Sequence, residues 1–148
     1  MTSDQFKVLL QELAQLAGMA DTTGLLEHGR VRVGEVPVVL EHDPAYDAEL
    51  LQVRLLLGAL PPQETDLVAR ALLEANYVSG YGGECVFSLM PETDDAVITM
   101  KVRLVQGLTA QELWQELSDV AHHGSRMWES ITSLARPSGM LQADGLAA

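Results

Sequence analysis

Several groups of residues in this chain are of types that do chemistry, and their spacing decides what each can do. His122-His123, with Asp119 four positions earlier, is the one metal candidate on a helix. Adjacent helical residues diverge by about 100°, so neighbouring histidines cannot share an ion, and ligand pairs on a helix need three- or four-residue spacing. Asp119 and His123 have that spacing, but a lone pair of this kind on a charged helix is the ordinary pattern of an exposed ion pair. Cys85 stands between Glu84 and Val86 in a strand pattern, where a thiol packs as a small hydrophobe, whereas a nucleophile needs an electropositive setting. Ser79 and Ser88 lack a Gly-x-Ser-x-Gly elbow, and His28 and His42 lie by turns without a recognisable partner pattern. Glu41 and Asp43 flank His42 and could do acid–base work, although acids in loops and alternating positions are ordinarily solvated. Gly80-Tyr-Gly-Gly83 neither follows a strand nor opens a helix, and it lacks the Lys-Ser/Thr of a phosphate cradle. No enzyme, metal or cofactor is expected from these residues.

The elements that carry them fit one domain. With 148 residues the chain is the size of a single unit, and such a unit can bury roughly 68–70% of the surface its unfolded chain exposes. The 9 Lys and Arg against 21 Asp and Glu give a formal charge of −12, which repels phosphate backbones and anionic lipids, so nucleic acid is not an expected partner. The same charge keeps a protein soluble while it exposes apolar grooves. One cysteine excludes an internal disulfide and fits a reducing cytoplasm. The N-terminus lacks the basic and apolar regions of a signal peptide, and no long apolar run predicts membrane insertion.

Hydropathy patterning predicts the order α-β-β-β-α-β-β-α. Thr2 or Ser3 caps a first helix with Phe6, Leu9, Leu10, Leu13, Leu16 and Ala17 on one face and Gly18 at its end. Asp21-Thr-Thr-Gly24 reads as a loop. Arg30–Val33 and Val36–His42 form a hairpin about Gly34-Glu35. After a loop at Asp43–Asp47, a third strand from Glu49 to Leu57 is apolar on both sides, with Leu50 and Leu56 on the side where solvation would favour polar residues. Pro61-Pro62 opens a second helix whose apolar positions, Leu67, Val68, Ala71, Leu72, Leu73 and Ala75, cover more than one stripe and imply burial on two sides. Asn76 is expected to terminate it. Strands from Cys85 to Leu89 and from Val97 to Val105 follow, turning at Pro91–Asp95. Thr109 with Glu112 is a capping box that opens a last helix running to Arg136-Pro137, about 40 Å long. The expected domain covers 1–136, and 137–148 reads as a flexible C-terminal tail. The fold class is α+β, an antiparallel twisted sheet with helices packed on it.

The run Leu72-Leu-Glu-Ala-Asn-Tyr77, the Gly80–Gly83 loop, the hairpin containing "FSL" and "ETDDAVITMKVRL", and a capped helix with "MWESI" resemble the class I type III secretion chaperones, the Tir-chaperone-like family. The resemblance covers about residues 3 to 135. It implies a homodimer in the bacterial cytoplasm that binds the N-terminal segment of a secreted effector protein, keeps it secretion-competent and hands it to components of the secretion apparatus, without a cofactor. The same resemblance assigns Leu67, Ala71, Leu72 and Ala75 to the dimer interface. It assigns Phe6, Leu9, Leu13, Val31, Val33, Val39, Leu50 and Leu56 to the effector groove. The competing expectation is an adaptor or regulatory domain of the same fold that binds a folded partner.

Overall fold

The structure is a computed structural model that describes residues 1–78 and 85–135. The Gly80–Gly83 loop, Arg136-Pro137 and the expected tail lie outside the described residues, and the last helix ends before them, at Ser133 with Leu134 as its cap.

The chain begins with α1 (Ser3–Leu16), opened by a reciprocal cap. The Thr2 hydroxyl accepts from the Gln5 amide at 3.2 Å, and the Gln5 side chain accepts from the Thr2 amide at 2.8 Å, satisfying two donors that the first turn leaves without partners. Leu9, Leu10, Leu13 and Ala14 form its buried face. The expected loop at Asp21–Gly24 instead leads into a short helix, α2 (Thr23–His28). The Asp21 carboxylate accepts from the Thr23 amide at 3.0 Å, and that bond holds its pKa below the ordinary value of 3.8. Gly29 closes α2 with φ +67°, and a Cβ there would overlap the carbonyl oxygen of Leu40. The close approach lets the Leu40 amide donate to Gly29 at 2.7 Å, starting the first strand pair.

β1 (Arg30–Val33) and β2 (Val36–His42) pair with Val33 opposite Val36, which leaves Gly34-Glu35 as the two-residue turn. A second short helix, α3 (Pro44–Asp47), replaces the expected loop, with the Asp43 side chain capping it at 3.1 Å. β3 (Leu50–Ala59) follows. α4 (Thr65–Val78) begins one turn later than expected. Glu64 is left-handed, with φ +60°, and the Thr65 hydroxyl reaches back to the Pro61 carbonyl at 2.8 Å, so the two prolines form an approach to the helix. The helix also continues past Asn76. β4 (Cys85–Leu89), β5 (Asp95–Arg103) and α5 (Ala110–Ser133) complete the chain.

The five strands form one antiparallel sheet in the order β1-β2-β3-β5-β4. Register aligns Val31, Val38, Leu55, Ile98 and Phe87 in one row across all five strands. That row belongs to the face under the helices and contributes to the hydrophobic core. The fold is therefore α+β, a five-stranded antiparallel sheet with helices packed on it. α5 opens with the expected box, the Thr109 hydroxyl accepting from Glu112 at 3.1 Å and the Glu112 carboxylate from Thr109 at 2.9 Å. It packs on α1, α4, β1 and β3, reaching from one side of the sheet to the other. Gly124 lets it lie close, since a Cβ there would overlap the terminal methyl of Ile98.

Candidate functional site

Among the described residues, those of catalytic type do not converge. The His122 and His123 rings lie edge to face 5.6 Å apart, and Asp119 accepts from Gln115 at 3.0 Å, one turn back from His123. The His42 ring stacks obliquely on Phe6, 4.6 Å between centroids, while its Nε2 lies 2.9 Å from the Ala48 carbonyl. Glu41 pairs with Arg54 across the sheet. Cys85 is half-buried beside Phe87, Ile98 and Gly124. Among the described residues, no group of three or more His, Cys, Asp or Glu side chains is placed to hold a metal ion.

A surface with room for a partner lies along β1. Ala17, Gly18 and Met19, in the turn after α1, face Pro37, Val39 and Leu56 across a groove of about 700 Å³, with Arg30 and Arg32 at its rim. The backbone along this groove is a sheet edge, because β1 is an outermost strand. Antiparallel pairs alternate between residues that exchange hydrogen bonds across the pair and residues whose amides and carbonyls point away from it. The bond from Leu40 to Gly29 fixes the phase, so Val31 and Val33 bond inward to β2 and the polar groups of Arg30 and Arg32 point out of the sheet. Leu56 and Val39 lie on the face opposite the helices, where Val97 is buried to 3% exposure by its neighbours.

The eight residues assigned to the groove from sequence do not gather in one place. Val39 and Leu56 line it as half-buried side chains, and Val31 forms part of its wall from a largely buried position. Leu50 shares the open face but lines a separate depression beside α3, with Tyr46 and Asp47. Leu9 floors a depression between α1 and the turn at Gly107. Val33 contributes to a cleft of about 600 Å³ between the β1–β2 turn and α5, bounded by Trp114 and Trp128. Leu13 is 0% exposed and belongs wholly to the core, and Phe6 packs half-buried against that core and His42. The correction has a simple cause. Leu9, Leu13, Val31 and Val33 face the helix–sheet interior, which buries the most apolar face of each element, and of the four only Val31 also reaches the groove. Residues passed over by the sequence reading, Met19, Pro37, Arg30 and Arg32, supply much of its lining. The available signal was the alternation of Arg30 and Arg32 with valines in a short edge strand.

A second surface lies where α4 meets β4. Of the residues assigned to a dimer interface, Leu72 is core at 3% exposure, Ala71 and Ala75 are half-buried against that core, and Leu67 is exposed. The outward side of α4 carries further apolar groups, Leu73 at 70% and Tyr77 at 93% exposure, around the Arg70–Glu74 ion pair. Val86 and Leu89 of β4 are also exposed. Asn76 joins the two elements. Its side-chain amide donates to the Phe87 carbonyl at 3.0 Å and accepts from the Phe87 amide at 2.7 Å, occupying the outer edge of β4 as a neighbouring strand would.

No described helix is long and apolar enough to cross a membrane. Comparison with known family models and with curated proteins returns no match.

Proposed function

We propose that the chain is a binding protein of the type III secretion chaperone kind, which acts in the bacterial cytoplasm and holds an extended segment of a secreted protein in the groove beside β1. In this reading it has no catalytic role and takes no cofactor. One observation carries the proposal: the outward amides and carbonyls of Arg30 and Arg32 lie beside an apolar groove large enough for several side chains. An extended segment laid there gains backbone hydrogen bonds from the edge and places alternate side chains in the groove.

Magnitudes favour two copies acting together. Ordering a client residue costs roughly 1–2 kcal/mol. Burying a Val or Leu side chain returns about 1.5–3 kcal/mol, yet in a strand only alternate residues face the groove. A segment along four-residue β1 is therefore close to break-even. A homodimer presents two such grooves, and a client engaging both converts the second contact into an intramolecular one. The exposed apolar side chains of α4 and β4 supply a surface through which such a dimer can form.

The test compares substitutions that the structure separates. Leu56→Asp, on the open face, is expected to lose the client while the chain stays folded. Val33→Asp, at 4% exposure, is expected to unfold it. Hydrogen exchange at the Arg30 and Arg32 amides should slow when the client binds. Retention of the client by Leu56→Asp, with both amides still exchanging freely, would place binding elsewhere. A client recognised only when folded would favour the adaptor.

A further inference from the structure

The chain has nine Lys and Arg residues, and Arg30, Arg32, Arg54, Lys101 and Arg103 all fall on the sheet face away from the helices. Two of them are matched internally, Arg54 by Glu41 and Arg103 by Asp47 at 3.2 Å. Arg30, Arg32 and Lys101 have no ion pair among the described residues. Lys7 and Arg126 are likewise without an ion pair among the described residues but lie singly on α1 and α5, whereas these three share one sheet face. Two of the three, Arg30 and Arg32, rim the groove and also carry the outward backbone groups of the β1 edge. Their side chains project from the same face at i and i+2, roughly 6.6 Å apart.

Resting on the reading of this groove as the site of an extended client, we propose that the client segment is acidic, with Asp or Glu at alternate positions opposite Arg30 and Arg32. A residue added directly opposite another on a strand edge places its Cβ about 4.5–5.5 Å away on the same face. A carboxylate there lies within reach of a guanidinium, which binds it through two parallel N–H donors. The arrangement also sets register, because a slip of one residue turns both carboxylates to the far face and leaves both arginines unmatched. Nucleic acid fits less well. The wider charge of the molecule repels a polyanion, and the groove is lined by aliphatic side chains with no aromatic platform for bases.

The experiment selects from displayed random 12-residue peptides on the full chain and on Arg30→Glu/Arg32→Glu, with circular dichroism confirming that both are folded. The unaltered chain should select apolar segments with Asp or Glu at i and i+2, and the charge-reversed chain should select Lys or Arg at those positions. A selected acidic peptide should bind Arg30→Gln/Arg32→Gln about tenfold more weakly, the product of two exposed ion pairs. Apolar segments without acidic enrichment, lost on Leu56→Asp, would overturn the acidic client and leave the groove standing. Segments bound equally well by Leu56→Asp, or no selection at all, would overturn both. Displacement of a selected peptide by single-stranded DNA would assign the arginines to nucleic acid.

Discussion

Gly124 fixes how closely the long helix approaches the sheet, and replacing it by alanine measures that approach. A Cβ at this position would overlap the terminal methyl of Ile98, while Ile98 Cγ1 and Leu57 Cδ2 remain at 3.7 Å, an ordinary contact. One methyl group therefore has to move, and it sits in a core where Ile98 is 4% exposed. Overpacking of this kind costs about 1–3 kcal/mol, against a gain of about 1 kcal/mol from removing a glycine in a helix interior. The net expectation for Gly124→Ala is a loss of about 1 kcal/mol. Ile98→Val, which deletes the offending methyl, should cost about 1 kcal/mol alone. Combined, the two exchange one buried methyl for another, and the double variant should match or exceed the unaltered chain, a coupling of about 2 kcal/mol. Urea unfolding at fixed protein concentration, read as midpoint with unchanged slope, gives the cycle. Additivity within about 0.5 kcal/mol would mean that the helix shifts as a body instead of pressing on Ile98.

Asn76→Ala removes both bonds to Phe87 and should cost about 2 kcal/mol by the same assay. Asn76→Asp keeps the acceptor but turns a carboxylate toward the Phe87 carbonyl. Its folded pKa is then raised, so the variant should recover relative to the unaltered chain as pH falls and the protonated carboxyl donates; a pH-independent difference would refute the two-point contact. Leu73→Glu, on the outward side of α4, should convert a dimer to a monomer in sedimentation with unchanged circular dichroism. An unaltered chain that is already monomeric at tens of micromolar would remove α4 as a seam.

Periodicity made the long elements legible, because each repeats its pattern often enough to be distinguished. The Gly34-Glu35 turn and the Thr109–Glu112 box also stood out, each being set by residues a few positions apart. α2 and α3 were missed for the converse reason: six and four residues are too few for a helical stripe, and the turns by which Asp21 and Asp43 lead into them equally suit loops. The position of β5 between β3 and β4 is a matter of long-range pairing that no local pattern encodes. For the groove, alternation shows that Val31 and Val33 share a side but not that this side meets α5 while Arg30 and Arg32 meet solvent. Leu56 and Val39 were legible because β2 and β3 are apolar on both faces, and a helix covers only one. Asn76 resembled a helix terminator in sequence, and its contact with a strand eleven residues away was outside local reasoning.

The two edges of the sheet are treated differently, and the difference bears on where a client can add. An open edge is a template for any extended chain, so proteins cover or charge it. At β4 the Asn76 amide takes the Phe87 amide and carbonyl, and α4 stands alongside, so a strand arriving there must first displace two hydrogen bonds. At β1 the strand is only four residues long and bears Arg30 and Arg32 at its outward-pointing positions. Between two copies aligned antiparallel on β1, these arginines would face each other and repel, which discourages self-pairing through that edge. A chain with carboxylates at the same spacing meets no such penalty. The arginines thus bias the β1 edge toward an acidic strand over the chain's own copy.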